Sequence, residues 1–247
     1  MKISIITVCY NSVGTIEDTI KSVINQDYAD LEYIIIDGGS TDGTLGIVGK
    51  YKDKIAKVFS EPDKGIYDAM NKGIKLASGD IVGIINSDDF YADNKVLSKV
   101  AHSISTGADA CYGDLAYVDR RDVSKQVRYW RAGSYNANKL FRGWIMPHPT
   151  FFVKKEIYER FGLFNLSFKI AADYELMLRF LLKGISVAYI PETFVCMREG
   201  GHSAKSFKQR VSGWQEIKRA WKTNSKQIPR FIIPLRILNK VGQFIFK

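Results

Sequence analysis

The segment Ile81–Asp89 reads IVGIINSDD and decides how the rest of the chain is interpreted. Its branched apolar residues are typical of a fully buried strand, and the run stops at two adjacent carboxylates, Asp88 and Asp89. In open α/β sheets, ligands bind outside the carboxyl ends of the strands. Neighbouring carboxylates repel each other unless a cation separates them or one is protonated, and Mg²⁺ or Mn²⁺ suits such oxygen ligands. The segment therefore predicts a divalent-metal site; the alternative is an NSDD turn that caps the next helix.

Two earlier strand ends are predicted to lie at the same edge of the sheet. Lys2–Val8 is rich in β-branched residues, and Tyr33–Ile36 is a second apolar run. Between them, with Thr15 as N-cap, helical spacing puts four apolar residues on one face: Ile16, Ile20, Val23 and Ile24. A strand, a helix and a strand in about 35 residues form a βαβ unit with parallel strands. The polar residues that follow each strand are therefore expected beside Asp88 and Asp89.

The loop Asp37–Thr44 follows the second of these strands and allows two interpretations. Its Gly, Ser, Thr and Asp residues are those of any tight turn and helix cap. Alternatively, Asp37 hydrogen-bonds a ribose or a base, and the glycines let the backbone approach the ligand. The loop does not contain GxGxxG, so a dinucleotide fingerprint is not supported.

The remaining elements continue the alternation of strands and helices. Strands are predicted at 58–60, 110–114, 126–131, 151–153 and 185–190, and helices from 66 to about 78–79, at 96–104, at 155–161 and at 171–182. This alternation predicts an α/β protein.

The cysteine content is typical of a protein from a reducing compartment. The chain has 247 residues, enough for one large α/β domain or two small ones. Three widely separated cysteines provide neither a disulfide framework nor zinc spacing. The N-terminus leads directly into a strand pattern without a signal peptide, and no apolar run approaches the ~18 residues of a membrane span. A cytoplasmic location is therefore expected.

The basic excess lies entirely at the C-terminal end. The net charge is +10; residues 204–247 contain eleven Lys and Arg against one acid, Glu216, and residues 1–203 contain 25 basic and 25 acidic residues. A domain that grips nucleic acid is expected to carry a basic face on its body. The neutral body therefore indicates that nucleic acid is not a partner.

Four motifs in order resemble those of the family 2 glycosyltransferases, especially bacterial enzymes that build capsule, exopolysaccharide or O-antigen. They are 5–11 (IITVCYN), 36–44 (IDGGSTDGT), 61–73 (EPDKGIYDAMNKG) and 86–89 (NSDD). The resemblance covers about residues 1–100 closely and continues more loosely to about 205. It implies a GT-A (Rossmann-like) fold with a mostly parallel central sheet flanked by helices, a nucleotide-sugar donor, a divalent metal and inversion at the anomeric carbon. The domain boundaries are then 1–205 for the catalytic domain, with a donor half (1–105) and an acceptor half (106–205), and 206–247 for a basic extension.

The resemblance also assigns roles on the donor side. By position in the motifs, Thr7, Val8 and Asp37 would line the nucleoside, with Asp63 and Lys72 near it. Asn86 stands where many members have the first Asp of an Asp-x-Asp motif. Asp88 would face the ribose and phosphates, and Asp89 would be the principal metal ligand. The metal, Mn²⁺ or Mg²⁺, would neutralise charge that develops on the departing diphosphate.

An inverting transfer also needs a base for the proton of the acceptor hydroxyl. The family places an acid, often preceded by Glu, ahead of a helix in the second half; here Asp173 occupies that place and Ala172 stands where the Glu would be. The alternative for Asp173 is a helix N-cap.

Three more residues are weaker candidates for contact with the diphosphate or the acceptor. His148 lies between two prolines, where a structural histidine is the alternative, and His202 in a Gly-Gly-His-Ser loop could close over the donor. Trp144 could stack on an acceptor sugar, with a place in the core as the alternative.

Residues 206–247 mix basic residues with aromatic and aliphatic ones. This composition is typical of an amphipathic helix on anionic lipid, and it predicts peripheral association with the inner face of the cell membrane. The alternatives are a helix packed on the catalytic domain and an RNA-binding arm.

Together these features predict a metal-dependent inverting enzyme that transfers a sugar from a nucleotide-sugar donor to a lipid-linked saccharide. UDP is the expected nucleotide of the donor. Two alternatives remain open. A nucleotidyltransferase could share the fold and the metal site but would not need Asp173. A non-catalytic module could bind a nucleotide-sugar or a membrane only, and Asn86 and Ala172 are the departures that allow it.

Overall fold

The computed structural model of the chain describes residues 1–200, 207–225 and 229–245. The strands are β1 (Ile3–Cys9), β2 (Leu31–Asp37), β3 (Lys57–Ser60), β4 (Ile81–Asn86), β5 (Asp89–Tyr91), β6 (Ala110–Val118), β7 (Gln126–Trp130), β8 (Phe152–Lys154) and β9 (Val187–Arg198). The helices are α1 (Ile16–Ile24), α2 (Thr44–Gly49), α3 (Ile66–Leu76), α4 (Val96–Ser105), α5 (Ala137–Phe141), α6 (Lys155–Phe161), α7 (Ala172–Leu182), α8 (Phe207–Asn224) and α9 (Ile232–Ile245), with short 3-10 turns at Lys52–Lys54 and His148–Thr150.

The described strands form one mixed sheet in the order β3-β2-β1-β4-β8-β6-β9-β5, with β7 beside β6. The first four are parallel neighbours, so their carboxyl ends meet at one edge. From β4 onward the pairings are antiparallel, except for β6 with β9. The sheet thus carries the predicted parallel unit in its first half and a second half built mainly from antiparallel pairs.

Helices cover both faces of the parallel strands, which explains the continuous apolar runs. Ile5 and Ile85 face one apolar layer with residues of α1 and α4. Ile6 and Ile84 face the other layer, with residues of α3, α6 and α7. Alternate residues of a strand point to opposite faces, so a strand that is covered on both sides has no polar face.

Two strand segments were not predicted from the sequence. Asp89 begins β5, which pairs antiparallel with the end of β9, opposite Met197. The last strand was expected to end at Ile190 but continues through Pro191 to Arg198, beside β6 with register shifts. Asp89 therefore belongs to the sheet and not to a solvent-exposed turn.

The basic extension is not uniformly exposed. Trp221 of α8 is fully buried, and its indole Nε1 donates a hydrogen bond of 2.8 Å to the Tyr174 hydroxyl of α7. Ile232 at the start of α9 is buried too, whereas Leu238 is exposed. The sequence analysis favoured the membrane for this whole extension, but α8 packs on the catalytic domain, which was the stated alternative. No helix among the described residues combines the length and the hydropathy that a membrane span requires.

Gly83 in β4 offers a test of the packing beneath the site. A Cβ at this position would lie 2.5 Å from Phe152 and 2.9 Å from Ile5. We expect Gly83→Ala to lower the free energy of unfolding by about 1–3 kcal/mol, because both neighbours are core residues that must shift. Gly46→Ala in α2 is the control, since its Cβ would meet nothing within 4 Å and alanine favours the helix. Urea titration compares the two variants; equal stabilities would contradict the packing.

Candidate active site

The loops that follow β1, β2 and β4 interlock at the edge of the sheet. The Asn11 side chain accepts a hydrogen bond from the Thr41 amide, and the Ser40 hydroxyl accepts one from the Asn11 amide. The hydroxyls of Ser12 and Ser87 lie 2.7 Å apart, which joins the β1 loop to the NSDD turn. The structure therefore brings the first, second and fourth sequence motifs together as predicted.

Within the NSDD turn, the two acids have different environments. The Asp89 side chain is buried, and its Oδ2 accepts a hydrogen bond of 3.0 Å from the Asn86 amide. Burial, and then the charge of Asp88, raises the pKa of Asp89 well above its usual range. Asp88 is only partly buried, and no described residue donates a hydrogen bond to its carboxylate. Metal binding by Asp89 stays a prediction; the carboxylate oxygens that accept no hydrogen bond from a described residue are those of Asp88.

Arg198, the last residue of β9, connects the NSDD turn to α1. Its Nη1 donates to the Asp88 backbone carbonyl at 2.9 Å, and its Nη2 forms an ion pair with Asp18 of α1. The guanidinium is nearly fully buried. Sequence reasoning missed Arg198 because the strand that carries it was predicted to end at Ile190.

Asp37 organises its own loop and has no exposed surface. Its carboxylate accepts hydrogen bonds from the amides of Gly39 and Ser40 and from the hydroxyls of Ser40 and Ser60. Burial alone would raise the pKa of Asp37, but these donors outweigh it and the pKa is lowered. Asp37 therefore positions its loop, as in the turn interpretation, and its contact with a nucleoside stays a prediction.

Thr7 and Val8 were expected to line the nucleoside, but both side chains are buried in the sheet. The Thr7 hydroxyl lies 3.0 Å from the Tyr33 hydroxyl of the neighbouring strand. The reason is their place inside β1, before the strand reaches the edge. Tyr10, just beyond the end of β1, is 64% exposed and close to Gly38, so it is the aromatic residue available at this rim.

Asp63 occupies space that Gly38 leaves open. A Cβ on Gly38 would lie 2.5 Å from Asp63 Oδ2 and 3.5 Å from the Tyr10 ring. The partly exposed Asp63 carboxylate is therefore at the rim, and its place near a nucleoside stays a prediction. Lys72 pairs with another residue of the same motif, since its Nζ lies 2.7 Å from the Glu61 carboxylate. This ion pair raises the pKa of Lys72.

Asp173 is the second residue of α7 and is partly exposed between buried neighbours. Ala171, not Asp173, is the N-cap, which removes the capping alternative. The single proton of the Tyr67 hydroxyl is shared between two acceptors, the Ile170 carbonyl at 2.9 Å and Asp173 Oδ1 at 3.2 Å. Tyr67 follows Asp63 by four residues in the third motif, so it connects the donor-side loop to Asp173.

His148 lies beside this pair. Its ring packs edge-on against Phe164 at 5.6 Å, and Phe164 stacks on Tyr67 at 5.5 Å. Burial lowers the pKa of His148, and the charge of Asp173 opposes that shift only in part. The imidazole is thus held in its neutral form next to the partly exposed Asp173.

The segment before Asp173 is fixed by the basic extension. Glu216 of α8, the one acid in residues 204–247, accepts hydrogen bonds of 2.8–2.9 Å from the amides of Lys169, Ile170 and Ala171. Asn224 of the same helix donates to Glu175 at 2.9 Å. Sequence reasoning missed Glu216; its signal was its isolation as a single acid in a basic segment.

Two candidates remain, Trp144 and His202. The Trp144 ring lies 6.0 Å from Tyr112 and 5.9 Å from Tyr135, and its Nε1 donates to the Ala132 carbonyl. It belongs to an aromatic cluster against the core, which was the alternative to stacking on a sugar. His202 lies outside the described residues.

Comparison with known sequences gives a consistent result. The family model described as "Glycosyl transferase family 2" matches residues 4–162. An uncharacterized glycosyltransferase of Mycobacterium tuberculosis is 32% identical over 188 residues, which are 72% of this chain and 68% of that protein. The UDP-Glc:alpha-D-GlcNAc-diphosphoundecaprenol beta-1,3-glucosyltransferase WfaP of Escherichia coli is 28% identical over 214 residues, 85% of this chain and 82% of that one.

Solved structures show the same fold. TarS 1–349 of S. aureus, in complex with UDP-GlcNAc, aligns with a TM-score of 0.71 at 19% identity, over 100% of this chain and 74% of that one. The mannosyltransferase PcManGT of Pyrobaculum calidifontis, in complex with GDP-Man and Mn²⁺, aligns with a TM-score of 0.67 at 20% identity, over 98% and 70%. The expected GT-A fold is thereby confirmed.

Proposed function

Since this chain belongs to glycosyl transferase family 2, we propose that it is an inverting, metal-dependent enzyme that transfers one sugar from a UDP-sugar to a lipid-linked saccharide. The observation that carries the proposal is the contact between Tyr67 and Asp173. It brings a partly exposed carboxylate from the second half to the first turn of α3, on the edge where Asp88 lies. A nucleotide-binding module would have no use for a carboxylate in that place.

The donor side fits a nucleoside diphosphate in three ways. The Asp63 carboxylate can accept a hydrogen bond from a base N–H, and the exposed Tyr10 ring beside it can stack on the base. Asp88 then lies further along the same edge, toward the diphosphate. UDP is the proposed nucleotide because WfaP is named for UDP-Glc and TarS binds UDP-GlcNAc, while PcManGT binds GDP-Man.

The residues present fit a divalent cation that shares its ligands with the diphosphate. The described residues contain no group of three or more His, Cys, Asp or Glu that could hold a metal ion alone. Asp88 offers carboxylate oxygens at the rim, and the Asn86 Oδ1 is a buried oxygen without a hydrogen-bond partner. Mg²⁺ typically binds through one or two carboxylates together with substrate phosphates and water. When bound, the metal supplies positive charge that stabilises the departing diphosphate.

Asp173 acts as the general base for the acceptor hydroxyl. Its carboxylate takes the proton of the acceptor hydroxyl while that oxygen forms a bond to the anomeric carbon. The bond from the anomeric carbon to the diphosphate breaks, and its electron pair leaves with the diphosphate. Attack from the face opposite the leaving group inverts the configuration. Tyr67 orients the Asp173 carboxylate, and the neutral His148 borders the same side.

We propose a lipid-linked acceptor because WfaP, the relative with the larger coverage, is named for a diphosphoundecaprenol-linked sugar. Such an acceptor is confined to a bilayer, so the protein would act at the inner face of the cell membrane as a peripheral protein.

The donor site can be tested by calorimetric titration with UDP, with and without Mn²⁺. We expect Mn²⁺ to strengthen UDP binding, and Asp88→Asn to reduce the metal-dependent gain at least about tenfold, since the amide loses the ligand charge. Asp53→Asn, an exposed acid in the Lys52–Lys54 turn, is the matched control and should bind like the wild type. The proposal fails if UDP does not bind in either condition. If Asp89→Asn alone removes the gain, the metal assignment within the turn is wrong.

A further inference from the structure

We propose that the outer face of α9, together with Phe141 of α5, docks on an anionic lipid surface. This inference rests on the proposed function only for its link to a lipid-linked acceptor. We call the surface the α9 face and define it by five exposed residues: Phe141, Phe231, Pro234, Ile237 and Leu238.

Helical geometry separates the two sides of α9. Phe231, Pro234 and Leu238 are spaced by three and four residues and so lie on one side. Phe231 is 63% exposed and Leu238 is 65% exposed, while Ile232 and Ile233, on the opposite side, are buried. An exposed patch of large apolar side chains is unusual for a surface without a partner.

The α8 helix does not contribute its aromatic residues to this surface. Trp221 is fully buried, where it contacts Tyr174 and packs against Phe141 with ring centroids 5.1 Å apart. Phe141 as a whole is still 37% exposed, so α5 extends the apolar patch of α9. The lipid-facing part of the basic extension is thereby narrowed from residues 206–247 to α9.

The positive charge around the α9 face favours an anionic lipid surface as its partner. The exposed cations Arg142 and Arg230 border the patch, and the segments 137–145 and 229–239 contain no Asp or Glu. Neither of these two cations takes part in an ion pair among the described residues. Two copies of this chain that met through the patch would bring like charges together, whereas an anionic bilayer offers complementary charge to cations that flank apolar side chains.

The inner side of α9 connects the patch to the candidate base. The Arg236 guanidinium lies 4.5 Å from the centroid of the Tyr174 ring, and Tyr174 follows Asp173 in α7. Arg236 also contacts the Gly143 carbonyl at 3.3 Å, next to α5. Asp173 and the α9 face are thus linked through Tyr174 and Arg236, which suits an acceptor whose lipid stays in the bilayer.

Vesicle co-sedimentation of the full chain tests the proposal. We expect binding to vesicles of phosphatidylglycerol and phosphatidylcholine, weak binding to phosphatidylcholine alone, and a loss of affinity with salt. The double variant Phe231→Ser with Leu238→Ser should bind at least about tenfold more weakly, because two side chains no longer enter the interface. Arg142→Gln and Arg230→Gln should each reduce binding about fivefold.

A matched control replaces exposed apolar residues elsewhere. Leu45→Ser with Val58→Ser changes side chains that are 38% and 45% exposed, and vesicle binding should not change. Equal binding by the α9 double variant and the wild type, equal binding to both vesicle types, or a dimer in solution that the α9 variant dissociates would each overturn the proposal. UDP titration and transfer to a short-chain, detergent-soluble acceptor are measured in parallel. Their failure in the wild type would refute the proposed function without affecting the vesicle result.

Discussion

Asp173→Asn is expected to lower kcat by about 10²–10⁴-fold, the usual contribution of a general base, because the amide cannot take the proton of the acceptor hydroxyl. The affinity for UDP should stay within about twofold of the wild type, since Asp173 lies in the acceptor half and makes its one described side-chain hydrogen bond to Tyr67. Isosteric replacement keeps that hydrogen bond available, so the fold should be retained. The expected signature is therefore a loss of turnover without a loss of donor binding.

Steady-state transfer assays and UDP titration on the same preparations separate these effects. Glu156→Gln is the matched control, because Glu156 is also an acid in the first turn of a helix but is exposed at the start of α6. Tyr67→Phe removes the hydroxyl that orients Asp173 and should give a smaller loss of kcat than Asp173→Asn. Wild-type turnover in Asp173→Asn would exclude Asp173 as the base. Unchanged turnover together with formation of a pyrophosphate product would instead favour a nucleotidyltransferase.

Much of the donor side could be predicted because local patterns determine it. The run Ile81–Ile85 is buried on both faces, and its carboxyl end carries Asn86 and Asp88 as expected. The βαβ unit formed by β1, α1 and β2 follows from periodicity and from the parallel pairing that this connection favours. These features depend on residues close together in the sequence, so the chain itself signals them.

The environment of each side chain depended on tertiary contacts that the periodicity of the sequence does not predict. Asp37 looked like a ligand residue, but four donors from its own loop and from Ser60 satisfy it. Asp89 looked like the metal ligand, but the pairing of β5 with β9 buries it. That pairing joins residues more than 100 positions apart, and no local pattern announces it.

The basic extension shows the same limit on a larger scale. Its composition predicted a lipid-facing helix, and the exposed residues of α9 keep that proposal open. Composition could not show that Glu216 of α8 reaches the segment before α7. Three consecutive amides, those of Lys169, Ile170 and Ala171, point at its carboxylate. The Ala171 amide is one of the groups that a helix N-terminus leaves without an intrahelical partner, and Ala171 has no side chain that could cap this end.

Glu216→Ala should therefore displace Asp173 as well as destabilise the fold. Removal of a charged acceptor from three amides is expected to lower the free energy of unfolding by about 1–3 kcal/mol. We also expect kcat to fall about 10–100-fold, because a shift of about 1 Å in a reacting group has effects of this size. UDP affinity should not change, since α8 contacts the acceptor half. Glu216→Gln keeps one acceptor oxygen and should recover part of the turnover.

Ile217→Ala separates positioning from stability. Ile217 is buried on the same helix, so its truncation should destabilise the fold by about 2–4 kcal/mol without touching the amides before Asp173. Both variants are assayed well below their melting temperatures, with kcat and UDP affinity measured on each. If Ile217→Ala loses as much turnover as Glu216→Ala, the effect of Glu216 is one of stability alone. If only Glu216→Ala loses turnover, the basic extension is part of the apparatus that positions the base, because one carboxylate in α8 then fixes where α7 begins.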